Sequence, residues 1–359
     1  MFPRCMIYLF WGLVFLPSTL PAQLNSAKLN QLFADLNTQG DFNGSVLVAK
    51  GSEVLFRANF GMADFETDTP IDNNTLFELA SMGKQFTATA IMMLQERSLL
   101  SYEDAIQKYL PRLTYESVTI RHLLTMTSGI PDYVNYGNEM QEIAIVQNTD
   151  IVQYYATKAP ALLFTPGDQF GYSNTNYVFL AQIIEKVSNQ SFHDFLSQNI
   201  FEKLEMNNTR SYNSRFSENE TLPNYAYPHV KTAKGYVRTD KNEKTKYIIR
   251  SSAIQGDGSI VSTVDDLLKW TVALNSNALL NPETLKEAYT AYKLNNGRKS
   301  EYGFGMYIKK NKAWHWGGWP GIQTSYTRYL DKDLVAIYLK NVESYNWEWV
   351  GKFEKIVQK

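Results

Sequence analysis

Along this chain the spacing of apolar positions changes period several times, and each change marks an element. Residues Ser26 to Leu36 repeat apolar side chains at helical spacing. "GSVLVAKGSEVLFRANFG" is then rich in β-branched residues, has a glycine at the bend, and reads as two strands around a turn at Lys50 to Ser52. From Phe86 to Leu94 no face carries a charge, so the helix expected over Ser81 to Ser98 is apolar all round and belongs inside the protein. Shorter helices are expected over Leu100 to Leu110 and Thr119 to Met126, and amphipathic ones in "TNYVFLAQIIEKVSNQ" and "SFHDFLSQNIFEKL". Between Ser211 and Arg250 the chain turns polar and reads as a long surface loop or irregular hairpin. Strand character returns in "SEYGFGMYIKK", "AWHWGG", "TSYTRYL" and "LVAIYLKN", and a last helix starts from Ser344. Strands at both ends with helices between them predict an α+β fold, an antiparallel sheet flanked by helices. Its α/β part is expected at about 23–80 and 250–359, with a mainly helical insertion at about 81–210 and the polar loop region at 211–250.

Composition narrows the classes of function. The 359 residues are 44% hydrophobic and 14% aromatic, enough for a large core. A net charge of -1, a pI near 6.5 and the lack of a basic run leave no footprint for nucleic acid. The first residues combine a single charge at Arg4, an apolar run from Cys5 to Leu16 and small residues and prolines ahead of Ala22. This is the pattern of a secretory signal peptide over residues 1–22, and the run is shorter than the ~20 residues of a membrane span. An uncleaved anchor is the alternative; cleavage leaves an exported, periplasmic or secreted chain without a membrane segment. Cys5 is the only cysteine, so the chain from residue 23 onwards has neither disulfides nor thiol chemistry.

Three short stretches carry candidate chemistry. Ser81 and Lys84 are three residues apart, which on a helix beginning near Ala80 puts both side chains on one face. Lys84 stands at the mouth of the apolar helix, where burial favours the neutral amine, and a neutral amine can activate a hydroxyl. The same spacing also suits an N-capping serine followed by a solvated lysine. Tyr172-Ser173-Asn174 lies between a Pro-Gly loop and an amphipathic helix; Tyr-x-Asn recurs at Tyr133 and Tyr136, in what reads as a loose polar loop. A packing tyrosine and a capping asparagine explain Tyr172 and Asn174 equally well. "WHWGGWPG", from Trp314 to Gly321, places glycines where a substrate backbone could approach an edge strand. His122, His193, His229 and His315 are not distinguished from one another by their neighbours. Gly-x-Ser-x-Gly, His-Glu-x-x-His, P-loop and dinucleotide glycine patterns are absent.

Taken in order, Ser81-Met82-Gly83-Lys84, Tyr172-Ser173-Asn174 and His315-Trp316-Gly317 resemble the motif set of the serine β-lactamase and penicillin-binding protein family, in its class C and D-peptidase branch. "TIRHLLTMTSGIPDY", "NIFEKLEMNNT", "GDGSIVSTVDDLLKW" and "YGFGMYI" extend the likeness over nearly the whole chain beyond the leader. The resemblance implies that Ser81 forms an acyl-enzyme, that Lys84 and Tyr172 pass its proton to the leaving group, and that Asn174 holds the substrate's amide. It further implies an oxyanion hole from the N–H groups of Ser81 and Gly318, substrate contacts at His315, Gly317 and Gly318, and no metal or cofactor.

His315 departs from the lysine of β-lactamases proper, and a partly charged histidine is a weak anchor for a substrate carboxylate. The expectation is therefore an exported serine hydrolase acting on peptides, amides or esters, with D-amino-acid peptides of the cell wall the leading substrate. A class C-type β-lactamase and a catalytically silent peptidoglycan- or partner-binding protein are the alternatives, and the oligomeric state is open. Trp314, Trp316 and Trp319 are expected to present aromatic surface near the acyl group, and Lys84 to be largely neutral.

Overall fold

The computed structural model describes residues 24–213 and 222–358. The signal-peptide expectation falls outside them, as does part of the polar loop region. Among the described residues no helix is long and apolar enough to cross a membrane.

The main sheet has six antiparallel strands: β1 (Gly44–Lys50), β2 (Glu53–Phe60), β3 (Tyr307–Lys309), β4 (Lys312–Trp319), β5 (Ile322–Tyr329) and β6 (Leu334–Lys340). Their spatial order is β3-β4-β5-β6-β1-β2, so the two chain ends meet where β1 pairs with β6, Leu47 opposite Ile337. Alternation along β1 sends Val46 and Val48 to one face and Leu47 and Ala49 to the other. Two helices, α1 (Ser26–Gln39) and α5 (Glu348–Val357), cover the first face, where Phe33 packs edge-on against Trp349 and Phe353. Asn25 caps α1 by accepting from the Lys28 N–H at 3.0 Å, and Gly40 ends it in the left-handed conformation.

The other face meets the helical region through α2 (Lys84–Glu96), α3 (Asn174–Ser188) and α4 (Val264–Asn275). Every side chain of α2 from Lys84 to Leu94 is buried, as the lack of any charge from Phe86 to Leu94 predicts. Phe86 lies against Trp270 of α4 and Phe201, and each large apolar side chain so buried contributes about 1.5–3 kcal/mol.

Several expected boundaries shift. A 3-10 turn over Ala80–Gly83 carries Ser81, and the α-helix begins only at Lys84. Within Leu100 to Leu110 there is a single 3-10 turn, Ile106–Lys108, and within Thr119 to Met126 one helical turn, Ile120–Leu124. That turn is opened by a capping box between Thr119 and His122, which gives His122 a structural role. Tyr133–Met140, expected as a loose loop, is a 3-10 helix capped by Asp132, with Tyr133 buried. The polar region contains a hairpin, His229–Thr232 with Gly235–Arg238, and a 3-10 turn, Lys246–Ile249. A small sheet of Phe77–Glu78, Ile260–Ser262 and Arg210–Ser211 has strands too short to show any period.

Candidate active site

The reactive positions gather where the 3-10 turn of Ser81, the start of α3 and the edge of β4 converge. Ala80, just before Ser81, is held at φ 47°, a left-handed conformation that a non-glycine residue adopts only under constraint. Ser81 is half-buried and faces a cavity of about 90 Å³ that Asn174, Tyr133, Asp257, Gly258, Gly318 and Trp319 also line.

Lys84 is fully buried and its Nζ donates three hydrogen bonds, to Ser81 Oγ at 3.1 Å, Asn174 Oδ1 at 2.8 Å and the Asp257 main-chain carbonyl at 2.7 Å. Burial draws its pKa down to about 8, while the charges of Asp257 and Asp132 hold it up. The direction agrees with expectation; the extent does not. At neutral pH the group keeps its proton, because two carboxylates and three acceptors that match the three donors of an ammonium stabilise the charge.

Asn174 opens α3 with its main-chain N–H bonded to Asp132 Oδ2 at 3.0 Å, and its side-chain Nδ2 donates to the same oxygen at 2.9 Å. With Oδ1 taken by Lys84, the amide is occupied at both ends. The expected contact with a substrate amide therefore meets a side chain already engaged in orienting the lysine. Tyr172 lies beside both, with Lys84 Nζ 5.2 Å from its ring centroid. Burial raises the phenol above its usual pKa, with the neighbouring Ser81 hydroxyl acting the other way, so Tyr172 is a neutral phenol at rest.

His315 is buried rather than poised at the surface. Its Nδ1 donates to the carbonyl of Trp316 at 2.6 Å, and its Nε2 accepts from the Tyr302 hydroxyl at 3.1 Å. Burial, reinforced by the Lys84 charge, pushes its pKa down to about 3. The imidazole is thus uncharged at neutral pH instead of partly charged. Gly317 is pressed against the turn that carries Ser81: a Cβ there would lie 2.0 Å from the Leu79 carbonyl and 2.2 Å from Thr324 Oγ1. Gly318 is its opposite, with open space on the cavity side. Of the three tryptophans only Trp319 lines the cavity, since Trp314 and Trp316 turn aside to pack with Tyr307.

Two groups essential to this geometry carried no chemical signal in the sequence. Asp257 is buried with Tyr133 Oη donating to its Oδ2 at 2.8 Å, and burial raises its carboxyl to about 6 against the opposing Lys84 charge. Asp132 anchors Asn174. Both lie in stretches, "TSGIPDY" and "GDGSIVSTV", whose family likeness was the only signal available.

Comparison with known proteins gives the family and the fold. The β-lactamase family model matches residues 29–358. Penicillin-binding protein 4* of Bacillus subtilis is 40% identical over 325 residues, covering 88% of this chain and 71% of that protein. Among solved structures, a penicillin-binding protein from Bacillus halodurans superposes with a TM-score of 0.78 at 24% identity, covering 91% of this chain and 98% of that one. A D-amino acid amidase from Ochrobactrum anthropi does so with 0.73 at 21%, covering 92% and 96%. Family match and fold together show that the chain belongs to the β-lactamase family and is a serine hydrolase working by acyl transfer.

Proposed function

We propose that this is an exported hydrolase that cleaves peptide, amide or ester bonds through an acyl-enzyme on Ser81, with D-amino-acid-containing peptides as the leading substrate class. The observation that carries the reading is the 3.1 Å contact between the buried Lys84 Nζ and the Oγ of Ser81, which itself faces the cavity. It is the longest of the three Lys84 bonds, and it is the only one whose partner can also donate. When Lys84 loses a proton, the two remaining N–H groups stay on Asn174 and Asp257, and the lone pair faces the Ser81 hydroxyl. Ser81 Oγ then attacks the substrate carbonyl while its proton moves to Lys84. Tyr172, neutral and adjacent, relays a proton to the departing amine or alcohol. The N–H groups of Ser81 and Gly318 receive the oxyanion, and water later releases the acyl group as an acid. Asn174 acts here as the residue that positions Lys84. Export rests on the leader-like pattern of residues 1–22, and the D-amino-acid preference on the family likeness.

Intact-mass measurement after incubation with a penicillin, a fluorophosphonate and a nitrophenyl ester, alongside Ser81→Ala, tests the reading. A Ser81-dependent adduct or turnover supports it, and the responding probe ranks peptidase, lactamase and esterase. No adduct and no turnover with any probe would leave a silent binding protein.

A further inference from the structure

Beyond the cavity at Ser81 lies a roomier chamber of about 280 Å³. Its apolar wall comes from Val134, Met140, Val146 and Ile254, and Tyr247 meets Trp319 edge-on at 6.3 Å across its rim. Tyr133, Ser251, Ile254 and Trp319 line both spaces, so a substrate held at Ser81 extends directly from one into the other.

Arg250 also lines the chamber. Its backbone is pinned, the N–H donating to the Tyr247 carbonyl at 3.1 Å and the carbonyl accepting from Val146 N–H at 2.7 Å. Among the described residues its guanidinium has no carboxylate partner, unlike those of Arg57, Arg121 and Arg238. It is the one cation among the described residues lining the cavity and the chamber. On the β4 side His315 is buried and bonded to Tyr302, and Lys84 has spent its donors on three acceptors. Among the described residues that line the two spaces, Arg250 is therefore the fixed positive charge open to a substrate anion.

We infer that the chamber is a selectivity subsite that takes an apolar portion of the substrate bearing a carboxylate, with Arg250 holding that carboxylate. An apolar wall with one convergent polar group is the usual make-up of such a site, and the planar guanidinium fits a carboxylate with two parallel hydrogen bonds. This deepens the serine hydrolase reading and rests on it.

The test uses two matched sets of esters with the full-length enzyme. In one, nitrophenyl esters have acyl chains ending in a carboxylate or its methyl ester; in the other, phenyl acetates carry a carboxylate or its methyl ester on the leaving group. The unmodified enzyme is expected to favour the carboxylate form by about tenfold or more in kcat/KM in whichever set reaches the chamber. Arg250→Met is expected to abolish that ratio and Arg250→Lys to keep part of it. An Arg250→Met ratio equal to that of the unmodified enzyme in both sets overturns the subsite. Undiminished turnover by Ser81→Ala would instead overturn the serine reading, independently of Arg250.

Discussion

The ammonium of Lys84 and the main-chain carbonyl of Asp257 are joined by a 2.7 Å hydrogen bond across 173 residues of chain, and the Asp257 carboxylate lies close enough to bias the same lysine electrostatically. Nucleophile, base and the charge that tunes the base thus come from a single contact region.

The pH dependence follows from this. The attacking form requires neutral Lys84, whose pKa is about 8. At pH 7 about a tenth of the molecules have it, so kcat/KM is expected to rise with pH through about 8 and level off above it. A nitrophenyl acetate profile measures this; a rate flat from pH 6 to 9 would reject Lys84 as the base.

Asp257→Asn keeps an acceptor for the Tyr133 hydroxyl but removes a charge that favours protonated Lys84. Removing that charge lowers the lysine pKa further, so the rising limb is expected to move to lower pH by about one unit. A limb that stays in place would show that the carboxylate does not tune the base.

Lys84→Ala takes the proton acceptor away from Ser81 and leaves Asn174 Oδ1 and the Asp257 carbonyl without their donor. Acylation is expected to slow by about 10²–10⁴-fold. Stopped-flow or mass-resolved fluorophosphonate labelling gives the rate, with circular dichroism confirming the fold.

The two glycines of the third motif are expected to respond differently. Gly317→Ala drives a methyl into the Leu79 carbonyl, which belongs to backbone that has to shift, at a cost of about 1–3 kcal/mol and with displacement of the Ser81 turn. Gly318→Ala meets nothing and is expected to change stability by less than about 0.5 kcal/mol while narrowing the cavity. Thermal unfolding of the pair makes the comparison, and equal Tm losses would contradict the packing argument.

Period and spacing made most of the fold legible. Strands β1 and β6 are covered on both faces, by α1 and α5 on one side and the helical region on the other, so they read as short apolar runs bounded by turns and not as alternating ones. Ser81 and Lys84 were legible because three residues on a helical turn are neighbours wherever the helix sits. Three Tyr-x-Asn sequences, by contrast, look alike on paper. Only the fold brings Tyr172 and Asn174 to Lys84, and it also sets Tyr133, from one of the other two, on Asp257.

By itself, then, the sequence determined the α+β architecture, the pairing of a serine with a lysine, and a motif order that identifies the family. Tertiary structure decided the states and places of such groups: His315 without charge, Asn174 bonded at both ends, Lys84 tuned by two carboxylates, and Arg250 lining a chamber beside the nucleophile. The physical reason is that burial and electrostatic neighbourhood are set by residues far away in the chain, 173 positions for Lys84 and Asp257 and further still for Lys84 and His315, and local spacing carries no information about such distances.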